Sequence, residues 1–250
     1  MRLLFSLLIL VVFFSACSKL KEKPVVDFVM KDFHLESSAG CGNNSEGDTT
    51  VCATFDVKYP TFTSLDTTIR QRINEQMFAI LGRDDAARES LKQIGETFIS
   101  DAKEFGSDLR LNWYYEATVE VMLSTDTLIS LRVNVEEYEG AAHAMYRTDF
   151  INIDPKTGTE YLLDAMLRTG YQDELNRLAE EDLRAQGGFD EDDSVAIASF
   201  PEGHFEAGQN YGFRKEGILF YYEGGRVGPM SLQSPIEILI PYERLRDWIK

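Results

Sequence analysis

Apolar and polar residues alternate most regularly in the middle of the chain. In LNWYYEATVEVML (111–123), every second residue from Trp113 to Leu123 is apolar and its neighbours are mostly polar. After the turn residues STDT, LISLRVNVEEYE (128–139) repeats the alternation. Because successive side chains of a strand point to opposite faces, this pattern predicts a long β-hairpin with one buried and one solvated face.

Further strands are predicted on both sides of this hairpin. MYRTDFINID (145–154) follows it, and the turn DPKTGTE then places Gly158 where a positive φ is required. The segments 25–37 and 50–60 are predicted to pair as antiparallel strands. Pro60 is predicted to end the second of these, because proline lacks the N–H that a sheet needs.

Segments in which apolar residues have helical spacing divide the predicted strands into blocks. Four segments have this spacing: 63–81, 84–105, 162–188 and 242–250. Thr63 or Ser64 is the predicted N-cap of the first helix, because a hydroxyl oxygen satisfies a free N–H of the first turn. Between the last two helices, NYGFRKEGILFYYE and PIEILIP predict three strands. Blocks without a βαβ rhythm predict an α+β fold, with mostly antiparallel sheets packed with three to four helices.

The N-terminus predicts an exported lipoprotein. MRLLFSLLILVVFFSAC has one arginine followed by an apolar stretch that is shorter than the ~20 residues of a membrane-spanning helix. This layout is typical of a secretory signal peptide over residues 1–16. Small residues directly before Cys17 match the lipobox of bacterial lipoproteins, which implies cleavage there and acylation of Cys17, with 17–23 as a short tether. An ordinary signal peptide that ends near a cysteine is the alternative.

The two other cysteines predict a disulfide. Cys41 and Cys52 flank the polar, turn-forming segment GNNSEGDTTV, and an exported protein meets an oxidising compartment. A metal site is the alternative, but neither a CxxC spacing nor a neighbouring histidine accompanies the pair.

Charge restricts the class of partner. The chain has 42 acidic and 25 basic residues, which give a formal net charge of -17 at pH 7. A negative field of this size repels nucleic acid and attracts basic partners. Nucleic-acid binding is therefore excluded.

The sequence contains none of the common catalytic or cofactor motifs. G-x-S-x-G, H-E-x-x-H and G-x-x-x-x-G-K-[ST] do not occur. The three histidines, His34, His143 and His204, lie on different predicted elements, so their spacing indicates no metal site. We therefore predict no cofactor, no metal and no catalytic residue.

Several motifs resemble those of a known group of envelope proteins. GAAHAMYRTDFINIDPKTGTEYLLDAM, with the closing GFRKEGILFYYE and PIEILIPYERL, resembles the C-terminal domain of the RsiV/PdaC-like superfamily. FDVKYPTF, followed by TTIRQRINEQM, resembles the smaller domain that precedes it in the peptidoglycan deacetylase PdaC. The resemblance implies two regions, 24–110 and 111–250, that form one compact unit.

The resemblance also implies a function. In the anti-sigma factor RsiV such an extracellular module binds lysozyme, and in PdaC it accompanies a separate catalytic domain, so the module itself does not resemble the catalytic part. We therefore predict a non-catalytic envelope lipoprotein that binds or senses a lysozyme-like basic protein or a peptidoglycan fragment. Ser18 after the lipidated cysteine favours the outer membrane, facing the periplasm. The alternatives are a peptidoglycan-modifying enzyme, such as a deacetylase or hydrolase, and a purely structural lipoprotein.

Four residues are candidates for ligand binding: His143, Tyr146, Tyr222 and Glu223. Tyrosine offers a flat apolar ring with a polar tip, which suits both glycans and protein surfaces. For His143 we favour a structural role, in which one hydrogen bond to the backbone fixes its loop, over contact with a ligand.

Overall fold

The computed structural model describes residues 26–38, 52–82, 90–105, 112–187, 206–223 and 234–250. Over these residues the fold is α+β, as predicted, with a five-stranded mixed sheet, a three-stranded antiparallel sheet and four helices. The strands are β1 (Phe28–Glu36), β2 (Ala53–Phe62), β3 (Trp113–Ser124), β4 (Ile129–Tyr138), β5 (Met145–Ile153), β6 (Tyr211–Phe213), β7 (Gly217–Tyr222) and β8 (Ile236–Pro241). The helices are α1 (Thr67–Leu81), α2 (Leu91–Phe105), α3 (Leu163–Met166) and α4 (Gln172–Gly187).

The larger sheet has the order β1-β2-β3-β4-β5. All neighbouring strands are antiparallel except β2 and β3. A parallel pair needs a long crossover connection, and α1 and α2 lie between these two strands in the sequence. The predicted hairpin β3–β4 and the predicted pairing of β1 with β2 are confirmed. The predicted boundary at 110/111 falls between α2 and β3, two elements attached to the same sheet.

One face of the larger sheet is covered by α1 and α2, and we call it the helix face. Trp113 and Tyr115 are buried there, as the alternation predicts. The ring of Phe55 stacks on that of Tyr115 with 4.6 Å between centroids. The Tyr115 hydroxyl donates to the Leu81 carbonyl at 2.7 Å, which ties the end of α1 to the sheet. Gly95 lets α2 approach closely, because a Cβ there would lie 2.9 Å from the Phe55 ring.

The opposite face, which we call the open face, is covered only in part. There the sheet β6-β7-β8, which forms a second core with α4, lies against β4 and β5. The Phe213 N–H donates to Ser130 Oγ at 2.8 Å, and that hydroxyl donates to Asn152 Oδ1 at 2.7 Å. Asn152 Nδ2 in turn donates to the Tyr211 carbonyl at 2.9 Å. Polar groups buried between the two sheets are thus paired with one another, which fixes how the sheets meet.

The predicted N-cap of α1 is wrong. Asp66 caps the helix, because its carboxylate accepts the N–H of Thr68 at 2.8 Å. The two predicted caps bind the residue that precedes β1 instead. Ser64 Oγ accepts the Asp27 N–H, and Thr63 Oγ1 donates to the Asp27 carbonyl.

The predicted end of β2 is also wrong, because the strand continues through Pro60 to Phe62. Pro60 pairs with Met30 of β1, whereas the pairing of β2 with β3 stops at Lys58. At Pro60 the strand therefore has a neighbour on one side only. A residue without an N–H is tolerated at such a position.

The predicted helix 162–188 is interrupted, and the predicted helix 242–250 is not formed. The first is divided into α3 and α4, with Gly170 at φ 89° between them. The second forms successive turns and contains no α-helix. Ile249 in this segment bridges Leu167, which follows α3. Pairing between the two segments therefore overrides their helical propensity.

Several predictions concern residues outside those described: the signal peptide, Cys17 with its tether, Cys41 and His204. Cys52 is disulfide-bonded, and its pairing with Cys41 stays a prediction. Within the described ranges, none of the helices combines the length and the apolar character needed to cross a membrane.

Candidate binding groove

The uncovered part of the open face forms a groove of about 870 Å³. All five strands of the larger sheet contribute to its floor, and Tyr221, Glu223 and Pro235 line it from the side of the smaller sheet. A volume of this size lies within the range of ligand-binding clefts in proteins. We call it the acidic groove, for the carboxylates described next.

A row of polar side chains crosses the floor from one edge strand to the other. Strand pairing places His34 opposite Asp56, Asp56 opposite Glu116, Glu116 opposite Glu136, and Glu136 opposite Tyr146. Neighbouring strands lie about 4.8 Å apart, so three carboxylates follow one another at close range. Like charges opposite each other destabilise a sheet, so this row lowers the stability of the fold.

At one end of the row, the side chains of His34 and Asp56 are hydrogen-bonded to each other. Nδ1 of His34 lies 2.7 Å from Asp56 Oδ1, and its Nε2 lies 3.8 Å from Glu36 Oε2. The hydrogen bond with Asp56 raises the pKa of His34 above its usual value, although desolvation opposes the shift. The imidazole therefore gains or loses its proton at pH values close to neutral, which changes the charge at this end of the groove.

At the other end, Glu136 accepts two phenol hydroxyls. Tyr114 donates to its Oε1 at 2.8 Å, and Tyr146 donates to the same oxygen at 3.2 Å. The hydrogen bond to Glu136 is the main cause that raises the pKa of Tyr114 to about 12, and it also raises the pKa of Tyr146. The Tyr146 side chain is 71% exposed, so its ring is held by the hydroxyl but remains accessible.

Between these ends lies Glu116, which is exposed on β3. Its side chain makes no hydrogen bond and no ion pair with any other described residue. Its neighbours in the row are both carboxylates, Asp56 and Glu136. Glu116 is therefore the member of the row whose charge the described part of the protein leaves uncompensated.

The part of the lining that the structure describes is negative. Its carboxylates are Asp32, Asp56, Glu116, Glu136 and Glu223, and its permanently basic side chains are Lys58 and Arg147. With His34 neutral, negative charges exceed positive ones by three. The Arg147 side chain has the phase of the helix face, because Arg147 pairs with the buried Val135, and it donates to Asp149 Oδ2 at 2.8 Å and to the Ile80 carbonyl at 2.9 Å. The groove is thus electrostatically suited to a cationic ligand.

Arg132 fixes the wall of the groove. Its guanidinium lies beside the rings of Phe150 and Tyr221, at 5.8 Å and 5.5 Å from their centroids. Its Nη1 donates to Glu237 Oε1 at 2.5 Å, across the contact between the two sheets. Cation–π contacts and a charge-assisted hydrogen bond together hold the smaller sheet beside the groove.

Of the four predicted ligand-binding residues, two line the groove and two do not. Tyr146 and Glu223 line the groove. Tyr222 is buried in the second core, its hydroxyl accepts the Gly208 N–H at 3.3 Å, and burial raises its pKa to about 12. His143 is exposed in the loop before β5 and is not part of the lining. Within the described ranges its side chain makes no hydrogen bond, so the structural role predicted for it finds no support there.

Sequence reasoning missed most of the row, namely His34, Asp56, Glu116 and Glu136. Each lies in a segment that was predicted to be a strand, so a signal was present. What the sequence did not supply was the register, which alone brings these four positions into one line. Within the described residues, no group of three or more His, Cys, Asp or Glu side chains is arranged to hold a metal ion.

Two family models match the chain in succession. Residues 46–146 match the model described as Deacetylase PdaC, and residues 164–243 match the model described as Protein of unknown function (DUF3298). The first match contains every member of the row except His34. None of the curated proteins matches this chain.

Solved structures with this fold include two from the DUF3298 family. One, from Bacteroides fragilis, has a TM-score of 0.69 and 21% identity, over 92% of this chain and 96% of that chain. The other, from Pseudomonas aeruginosa, has a TM-score of 0.66 and 20% identity, over 91% of this chain and 95% of that chain. At this level of identity the likeness shows the fold.

Proposed function

The chain belongs to the PdaC/DUF3298 family, and we propose that it is a cell-envelope lipoprotein that binds a wall-associated ligand without modifying it. Acyl chains on Cys17 would hold it to the outer membrane, facing the periplasm, because several acyl chains on one residue give stable anchoring. The acidic groove would be the binding surface. The row of three adjacent carboxylates, with Glu116 uncompensated, is the observation that carries this proposal.

The ligand that fits this groove best is a lysozyme-like basic protein. Complementary charge raises the rate of association by one to three orders of magnitude, roughly, and fixes the orientation of the partners. Tyr146 adds an accessible ring with a fixed hydroxyl, and tyrosine is enriched among the residues that dominate binding energy in protein interfaces. A peptidoglycan fragment is disfavoured, because the carboxylates of its peptides would meet those of the groove.

Binding to hen egg-white lysozyme tests this proposal. The protein is purified from membranes in detergent, and the Kd is measured by calorimetry at about 0.05 M and about 0.5 M salt. We expect binding that weakens at the higher salt, and no release of acetate from peptidoglycan. Acetate release that depends on a metal would overturn the proposal in favour of a deacetylase.

A matched pair of variants separates the groove from the overall charge. Glu116→Gln with Glu136→Gln removes two negative charges from the groove and keeps side chains of the same shape. Glu104→Gln with Glu243→Gln removes two negative charges from exposed positions outside it. We expect the first pair to weaken binding at least about tenfold and the second to change it less than about twofold. Equal losses in both would contradict the groove as the site.

The anchor is tested separately. In cells supplied with labelled palmitate, the wild-type protein should carry the label and Cys17→Ser should not. A label that persists in the variant would contradict the lipoprotein assignment, whatever the groove binds.

A further inference from the structure

We propose that protonation of His34 weakens the binding of basic partners to the acidic groove, so that the site releases them as the pH falls. This inference rests on the proposed function, because it concerns how the same groove is regulated. His34 lines the groove, and histidine side chains gain and lose a proton near neutral pH. The proposed binding function does not itself use this property.

The geometry gives His34 direct control over one carboxylate of the row. Its Nδ1 lies 2.7 Å from Asp56 Oδ1, and the two side chains are 54% and 45% exposed. When the ring is neutral, Asp56 keeps its full negative charge towards the groove. When the ring is protonated, imidazolium and carboxylate form an ion pair whose net charge is zero, and an incoming cation loses one attracting group.

Most of the charged groups around His34 are carboxylates, which favour protonation of its ring. On its own strand, Asp32 and Glu36 flank it, and Glu36 Oε2 lies 3.8 Å from Nε2. On β2, His34 pairs with Asp56, and Lys58 of the same strand pairs with Asp32. On β3, Glu116 pairs with Asp56. Four carboxylates and one ammonium therefore surround the ring, and their net negative charge favours its protonated form, in agreement with its raised pKa.

The proposed effect occurs in the pH range in which imidazole side chains in general gain and lose their proton. Aspartate and glutamate side chains in general titrate about two pH units below imidazole. Between about pH 8 and about pH 5.5, the imidazole is therefore the group in this row whose charge changes most. Because coupling between two binding events is reciprocal, a bound cation must also oppose the protonation of His34 and lower its pKa.

The probe for this inference is an N-acetylated deca-lysine peptide, whose charge does not change in this range. Its Kd for the protein in detergent is measured from about pH 8 down to about pH 5.5. For the wild type we expect binding to weaken roughly three- to fivefold as the pH falls, the effect of neutralising one charge at close range. His34→Gln should bind with the high-pH affinity throughout, and His34→Lys with the low-pH affinity throughout.

A second measurement does not depend on the variants. The imidazole signals of the wild type are titrated by NMR with and without the peptide, and the His34 signal is assigned from its loss in His34→Gln. We expect the peptide to lower the pKa of His34. Binding at pH 8 with the same pH dependence in the wild type and His34→Gln would overturn this inference alone. No binding of peptide or lysozyme at pH 8 would overturn the proposed function and this inference with it.

Discussion

On the helix face of the larger sheet, the strands present aromatic and aliphatic side chains that α1 and α2 bury. On the open face, the intervening residues of the same strands present a row of charged and hydroxyl side chains to the groove. Phe55 and Asp56 are neighbours in β2, yet the first is fully buried and the second binds His34 beside solvent. One alternating pattern thus places the core residues on one face and the groove residues on the other, so substitutions one residue apart should have different kinds of effect.

The largest effect is expected for Phe55→Ala on the helix face. The Phe55 ring is fully buried and contacts the rings of Phe33, Phe98 and Tyr115. Removing a buried phenylalanine leaves a cavity and lowers the free energy of unfolding by about 3–5 kcal/mol. Urea unfolding followed by circular dichroism measures the change. Thr54→Ala, in the neighbouring polar position, should cost less than about 0.5 kcal/mol, and similar losses in both variants would contradict the division between faces.

The next largest effect is expected where the smaller sheet crosses the open face. A Cβ on Gly212 would lie 2.5 Å from Cδ1 of Phe150 and 3.2 Å from the sulfur of Met122. Gly212→Ala therefore forces the two sheets apart and should lower the free energy of unfolding by about 1–3 kcal/mol. In Gly208→Ala the nearest atom, on Tyr222, is 3.4 Å away, which is ordinary contact. Unfolding of this control should change much less, and equal losses would show that the contact between the sheets adapts freely.

The sequence predicted much of the helix face. Alternation alone identified β3 and β4 and the burial of Trp113 and Tyr115, because a strand with one buried face imposes a period of two on its residues. It also predicted the hairpin and the positive φ of Gly158. Local chemistry was sufficient for these features.

The groove could not be assembled from the sequence in the same way. The row depends on the parallel pairing of β2 with β3, which places Asp56 beside Glu116 although α1 and α2 separate them in the chain. In a chain with 42 acidic residues, no single carboxylate stands out before that pairing is known. Tyr146 and Glu223 were predicted as ligand-binding residues and do line the groove, whereas Tyr222 is buried in the second core.

On the open face, a substitution should affect binding more than folding. Glu116→Gln removes the charge that lies between Asp56 and Glu136, so it should leave the free energy of unfolding unchanged or raise it by about 0.2–0.5 kcal/mol. The same variant should weaken lysozyme binding. Glu104→Gln, which removes a charge from α2, should leave binding unchanged. A clear loss of stability in Glu116→Gln would mean that the row contributes to folding and does not oppose it.

The smallest effect concerns pH and His34. Because its pKa is raised in the folded protein, its contribution to stability is fully present below about pH 6.5 and is lost as the pH rises through the folded-state pKa. Both partners are about half exposed, so solvent screening keeps this contribution small. Thermal unfolding should give the wild type an advantage over His34→Gln of about 1–2 °C at low pH that disappears at about pH 8. An advantage that grows with pH would mean that Asp56 does not stabilise the imidazolium. If the sign is as expected, protonation of His34 stabilises the edge of the sheet and, by our proposal, weakens the binding of a cation in the groove. Folding and binding then respond to pH in opposite directions.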